Sequence, residues 1–158
     1  SIDGDGFITL IGRKSEIFKT STGRRIAPAG IESRLQQVSA LEHSVIFGAG
    51  RPQPVALLVI TEAAWQVEGA ESFRRLRREV DAAVQKLPGY QRPAGLLITA
   101  QPLTIADGEI TANLKLRRHV IEARHRSALL GLYAEIDAAQ GGAFEVWSAD
   151  RQVFSCSP

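Results

Sequence analysis

The sequence predicts an α+β fold: one small sheet packed with helices and preceded by a short β-hairpin. Apolar runs of strand length stand at residues 44–48, 55–60 and 95–99. Residues 72–87 instead repeat Phe73, Leu76, Val80, Val84 and Leu87 at helical spacing, which gives one apolar face. The two kinds of segment interleave without an internal repeat, as one sheet covered by helices requires. A chain of 158 residues that is 44% apolar and 23% charged suits one domain, or one domain plus a tail.

The elements follow in order. Residues 6–11 and 16–20 alternate or cluster apolar side chains as strands do, with Gly12-Arg13-Lys14 between them. Ser21-Thr22-Gly23 reads as a turn in which Gly23 takes positive φ. Pro28 suits a helix start, and Ile31, Leu35 and Val38 follow at helical intervals. The runs at 44–48 and 55–60 flank the polar turn Gly50-Arg51-Pro52-Gln53-Pro54 and so predict paired core strands. Thr61 is placed to cap a short helix reaching Trp65. The 72–87 helix ends at Pro88-Gly89, residues 95–99 form a buried strand, and a last helix spans about 116–135 with Val120, Leu129 and Tyr133 among its apolar positions. From Ala138 onward Gly141-Gly142 interrupts the chain and the aromatics show no period, so residues 136–158 read as a tail of unknown role.

Composition excludes several classes. A net charge of +2 is too small to argue for nucleic acid, and the arginines 74, 75, 77 and 78 sit among Glu71, Glu79 and Asp81 as a solvated helix face. The single Cys156 has no internal disulfide partner, and His43, His119 and His125 lack metal-ligand spacing, so the expectation is no metal site and a reducing, cytoplasmic setting. No apolar run approaches membrane-spanning length and no signal-peptide pattern opens the chain. The chain starts without Met directly before a hairpin, which suggests a piece excised from a longer protein. Asp3-Gly4-Asp5-Gly6 invites a calcium-loop reading, but the twelfth loop position would be Gly12 where a bidentate Glu is needed, and a hairpin turn fits better.

Two stretches carry the chemistry: Gly12-Arg13-Lys14-Ser15-Glu16 with the run Thr20–Pro28, and Gly108-Glu109-Ile110-Thr111-Ala112-Asn113-Leu114-Lys115-Leu116-Arg117-Arg118. On the residues alone, Arg13 is a surface charge on a turn, Arg24 and Arg25 are two arginines on a polar loop, and Lys115 is a solvated lysine before a helix. Taken together and in this order, with Leu87-Pro88-Gly89-Tyr90-Gln91-Arg92-Pro93 between them as a structural element, they resemble the C-terminal lid domain of the adenylate-forming (AMP-binding) enzymes. That superfamily includes acyl-CoA synthetases, peptide-synthetase adenylation domains and beetle luciferases. The runs Thr20-Ser21-Thr22-Gly23-Arg24-Arg25-Ile26-Ala27-Pro28 and Ile110–Arg118 are most similar to those of long-chain fatty acid–CoA ligases.

The resemblance implies a lid domain over residues 1–135, with hinge and hairpin in 1–25. It would be hinged to a large N-terminal catalytic domain that the sequence does not contain. It implies ATP, Mg²⁺ and CoA as substrates or cofactor of the full-length enzyme, none bound tightly by the fragment, and a fatty acid as the acyl donor. Lys115 aligns with the family's catalytic lysine; Ala112 and Asn113 depart from the Pro and Thr of the long-chain ligases without touching it. Arg13 and Arg25 align as nucleotide-binding residues, and Gly23 and Arg24 as the CoA-side loop. Ser15 falls at the hinge, where the family usually has Asp or Lys, with Lys14 beside it as a substitute charge. Lys19 lies where luciferase-like members keep a lysine for the second half-reaction, and equally suits a solvated strand position. The implied setting is cytoplasmic, with peripheral membrane association of the full-length enzyme as a further expectation. The acceptor alternatives are a carrier-protein thiol or another nucleophile; the alternative from another class is an interaction module without catalysis.

Overall fold

The computed structural model describes residues 16–65, 70–138, 145–148 and 153–155. Strands β1 (Phe18–Lys19) and β2 (Arg25–Ile26) form a two-stranded antiparallel ribbon in which Phe18 faces Ile26 and Lys19 faces Arg25. The strand expected at residues 6–11 lies outside the described residues; β1, within the strand expected at 16–20, pairs with the segment that follows it. A tight turn explains it. Thr20 is buried, its N–H donates to Arg24 O at 2.9 Å, Gly23 N–H donates to Thr20 O at 3.0 Å, and Arg24 N–H donates to Thr20 Oγ1 at 3.1 Å. The turn requires Gly23 at φ 79°. Open space surrounds the place where a Cβ would stand, so Gly23→Ala introduces backbone strain alone. We expect it to cost about 1–2 kcal/mol, read as a fall in melting temperature of roughly 2–4 °C per kcal/mol for a chain of this size.

The main sheet has five strands in the order β3 (Leu41–Phe47), β4 (Val55–Ile60), β5 (Leu96–Thr99), β6 (Glu145–Ser148) and β7 (Val153–Ser155). The β3–β4 and β6–β7 pairs are antiparallel, whereas β4–β5 and β5–β6 are parallel. Helix α1 (Pro28–Leu35) starts on its proline and precedes β3; α2 (Glu62–Trp65) and α3 (Ala70–Val84) connect β4 to β5. Helices α4 (Arg118–Arg124) and α5 (Arg126–Ala138) connect β5 to β6. Parallel neighbours need such crossovers, and helices provide both.

All six residues of β4 are buried, so its side chains alternate between two covered faces. Ala56, Leu58 and Ile60 join Ile46, Leu96 and Ile98 against Ile31 and Leu35 of α1 and Leu76, Val80 and Val84 of α3. Val55, Leu57 and Val59 join Val45, Phe47 and Leu97 against Ile121 of α4 and Leu129, Leu132 and Ile136 of α5. Helix α5 presses closely: a Cβ on Gly95 would come within 2.8 Å of Leu132 Cδ1.

Several boundaries differ from expectation. Strand β3 begins at Leu41 rather than 44, with an irregular register between Leu41 and His43. Thr61 caps α2 as expected, its Oγ1 accepting Ala64 N–H at 3.3 Å. Helix α3 stops at Val84 instead of Leu87, because the chain turns there (Leu87 N–H to Val84 O, 2.9 Å) and the Arg92 guanidinium takes the free carbonyls of Leu87 and Gln85. The single helix expected at 116–135 is two helices that break at buried His125, whose φ of −94° and ψ of 12° leave the helical region. Residues 136–158 are not only a tail: α5 continues to Ala138, and β6 and β7 extend the sheet beside β5. Strands of four and three residues are too short to show a period, and only the crossover through α4 and α5 brings them to the sheet.

Candidate functional site

Lys115 sits on a loop that its own hydrogen bonds close. Ile110 and Leu116 form an antiparallel bridge, and both pack into the core under α4 and α5. Between them Thr111 N–H donates to Lys115 O at 2.9 Å, Leu114 N–H donates to Thr111 O at 2.8 Å, and Lys115 N–H donates to Thr111 Oγ1 at 3.1 Å. Thr111 thus bonds both backbone groups of Lys115, while residues 112–115 stand exposed at the tip. Leu114 takes φ 56°, a left-handed conformation that costs a non-glycine residue about 1–2 kcal/mol. A backbone fixed in this way leaves the lysine side chain free to reach outward while its point of origin stays put.

Beneath the loop lies a charged cluster. Glu109 is completely buried, and its Oε2 accepts Arg124 Nη1 at 2.8 Å and Thr104 N–H at 3.2 Å. Arg124 also reaches Asp107 at 3.1 Å, and Thr104 Oγ1 donates to the same Asp107 oxygen at 2.7 Å. The Thr104 hydroxyl, with help from Arg124, holds the Asp107 carboxyl below its ordinary range. Desolvation works against the charge on Arg124, but Glu109 and Asp107 outweigh it and raise its pKa. The backbone of Glu109 joins in, accepting Arg117 N–H at 2.7 Å just before α4 begins. The next residue, Arg118, forks onto Glu32 of α1 (2.7 and 3.2 Å) and donates to Ile46 O of β3 at 2.8 Å, while Glu32 accepts Ile46 N–H at 2.8 Å. The lysine loop is therefore tied into both helical layers and the sheet.

The β1–β2 hairpin gathers the other described candidates. Lys19 and Arg25 face each other across the ladder, both exposed, with Gly23 and Arg24 at the turn above them. Like charges directly opposite destabilise a strand pair, so an anion between them would relieve a built-in repulsion. Arg24 lies over the Tyr90 ring at 5.3 Å, so the Leu87–Pro93 segment, expected to be purely structural, also supports a candidate side chain. Two backbone bonds hang the hairpin from the β3–β4 loop: Ser21 N–H to Arg51 O and Gly50 N–H to Lys19 O, each 2.9 Å. No hydrogen bond or ion pair among the described residues joins this hairpin to the Lys115 loop, so the candidates form two separate groups. Arg13, Lys14 and Ser15 lie outside the described residues.

Residue patterns alone did not single out Glu109, Asp107, Arg124 or the Glu32–Arg118 pair. A fully buried glutamate looks like any other acidic residue in a turn, and Glu32 and Arg118 are far apart in the chain. The arginine face of α3 is as expected, with Arg75–Glu79 and Arg77–Asp81 pairs at 2.9 Å. Among the described residues no group of three or more His, Cys, Asp or Glu could hold a metal ion, and no helix is long and apolar enough to cross a membrane.

The family described as AMP-binding enzyme C-terminal domain matches residues 16–137. The long-chain-fatty-acid–CoA ligase FadD15 of Mycobacterium tuberculosis is 27% identical over 150 residues, covering 84% of this chain and 25% of the relative. The chloroplastic long-chain-fatty-acid–[acyl-carrier-protein] ligase AEE15 of Arabidopsis thaliana is 27% identical over 132 residues, covering 82% of this chain and 18% of the relative. Among solved structures, the A-PCP didomain of carboxylic acid reductase from Segniliparus rugosus, in complex with AMP, superposes with a TM-score of 0.73 at 23% identity, over 89% of this chain and 22% of that one. The chain thus spans a quarter or less of the length of these proteins.

Proposed function

Because the chain belongs to the AMP-binding enzyme C-terminal domain family, we propose that it is the lid of an ATP-dependent fatty acid–CoA ligase and that Lys115 serves its first half-reaction. The observation that carries this reading is the loop itself: an exposed lysine whose backbone is fixed by Thr111, bridged at Ile110 and Leu116 and supported from below by Glu109. In that reaction a fatty carboxylate oxygen attacks the α-phosphorus of ATP and the bond to pyrophosphate breaks, leaving acyl-adenylate. Two anions must approach, and an ammonium reaching both offsets their repulsion and the charge that develops. In the second step the CoA thiolate attacks the acyl carbon and AMP leaves.

The hairpin suits the second step. Gly23 leaves open space at the turn, and Arg24, Arg25 and Lys19 present cations for the phosphates of CoA or nucleotide. Arg13 would meet the nucleotide, and Ser15 with Lys14 would form the hinge that exchanges the two faces, a common way to order two reactions. Mg²⁺ would enter with ATP on the large domain. A cytoplasmic enzyme with peripheral access to membranes fits a lipid substrate and the solitary Cys156.

A carrier-protein thiol is the second acceptor reading, favoured by the equal identity to the acyl-carrier-protein ligase. The test is to assay the full-length protein with fatty acid and MgATP, measuring pyrophosphate release and then thioester formed on CoA or on a carrier protein. We expect acid-dependent pyrophosphate release, acyl-CoA as product, and no thioester from residues 1–158 alone. Thioester on the carrier only would replace CoA as acceptor. No acid-dependent pyrophosphate release from the full-length protein would reject the enzyme reading.

A further inference from the structure

Leu114 has two properties that this domain does not use. It is the one non-glycine residue at positive φ among the described residues, and its side chain is 77% exposed. The backbone conformation has a local cause: the bonds from Thr111 N–H to Lys115 O and from Leu114 N–H to Thr111 O close a turn that needs a left-handed residue just before the lysine. Glycine or asparagine would satisfy that turn with less strain. A leucine here therefore does nothing for the turn and, being uncovered, little for the core.

We propose that Leu114 is a positioning residue for Lys115: its isobutyl arm seats in an apolar depression of the enzyme's large domain when the lysine enters the active site. The inference rests on the reading of Lys115 as the adenylation lysine. About three-quarters of the matched fatty acid–CoA ligase lies outside the span of this chain, so the surface that receives the loop is outside it as well. Consecutive Cα atoms are about 3.8 Å apart, so a surface close enough to bring substrate to the Lys115 ammonium also meets the Leu114 arm beside it. One apolar contact next to a flexible, solvated lysine fixes the depth and angle at which the loop docks. Such alignment is where a small misplacement costs rate. A strained conformation held by the surrounding bonds at a catalytic loop fits this use.

The experiment compares Leu114→Met, Leu114→Ala, Leu114→Asn and Lys115→Ala in the full-length enzyme. The adenylation rate, acyl transfer from supplied acyl-adenylate to CoA, and the melting temperature of the 158-residue chain are measured for each. We expect Leu114→Ala and Leu114→Asn to slow adenylation roughly tenfold to a hundredfold, the equilibrium value of burying one leucine side chain. Transfer to CoA should be unchanged and Leu114→Met should stay near wild type. Leu114→Asn should melt no lower than wild type, because it relieves strain. Near wild-type adenylation by Leu114→Ala and Leu114→Asn, with Lys115→Ala still crippled, overturns this inference and leaves the lysine reading standing. Equal loss of both half-reactions, or a lowered melting temperature for Leu114→Asn, assigns the residue a structural role and overturns it too. If Lys115→Ala adenylates normally, the reading beneath it fails first.

Discussion

Lys115→Ala in the full-length enzyme is expected to slow adenylate formation by about a hundredfold to a thousandfold while transfer of the acyl group from supplied acyl-adenylate to CoA stays near wild type. The selectivity follows from charge. On the proposed reading the first step brings a carboxylate up to a polyphosphate and needs a cation there; in the second, AMP leaves the acyl carbon and the lid would present its hairpin face in place of Lys115. Folding should be unaffected, because the lysine is exposed and its loop is held by backbone bonds that alanine also makes. Separate measurement of pyrophosphate exchange and CoA transfer reads the two steps. Lys19→Ala, on the hairpin, should not reproduce the selective loss of the first. Equal damage to both steps in Lys115→Ala would mean that the lysine holds the lid in place instead of meeting the reacting anions.

Arg118→Ala should destabilise the base of that loop by about 2–3 kcal/mol. Breaking a buried ion pair from one side costs roughly 3–5 kcal/mol, and the partial exposure of both partners places this pair below that range. The loss has two parts: the Glu32 carboxylate keeps only the Ile46 N–H, and Ile46 O loses its donor. Chemical denaturation of the 158-residue chain should show the shift as a lower midpoint at unchanged slope. Arg118→Lys should recover little, since one ammonium cannot fork across both carboxylate oxygens and a carbonyl. A midpoint within error of wild type would show that the pair is worth no more than an exposed one.

Most of the α+β framework was legible in residue patterns because burial on two faces writes itself into β4 as an unbroken apolar run, and burial on one face writes itself into α3 as a helical period. The break at His125 left no such mark, since no Pro or Gly stands there. Strands β6 and β7 were invisible for the opposite reason: they are too short for any period and join the sheet through a crossover. Lys115 and the hairpin cations entered as candidates through runs of adjacent residues that resemble the family's. Their support was not legible, because a buried Glu109 held by Arg124 and a Glu32 held by Arg118 depend on which parts of the chain meet in space.

The facing pair Lys19 and Arg25 has a consequence for how ionic strength acts on this domain. Dissolved salt screens exposed charges over about 8–10 Å, a range that spans a strand ladder. Added salt therefore eases the repulsion across the empty ribbon and tightens it, while the same ions compete with any phosphate drawn to the two cations. The hairpin and the anion complex proposed for it would respond to salt with opposite signs. Any affinity of the proposed CoA-side hairpin for a polyanion would thus depend on the medium as well as on Lys19 and Arg25.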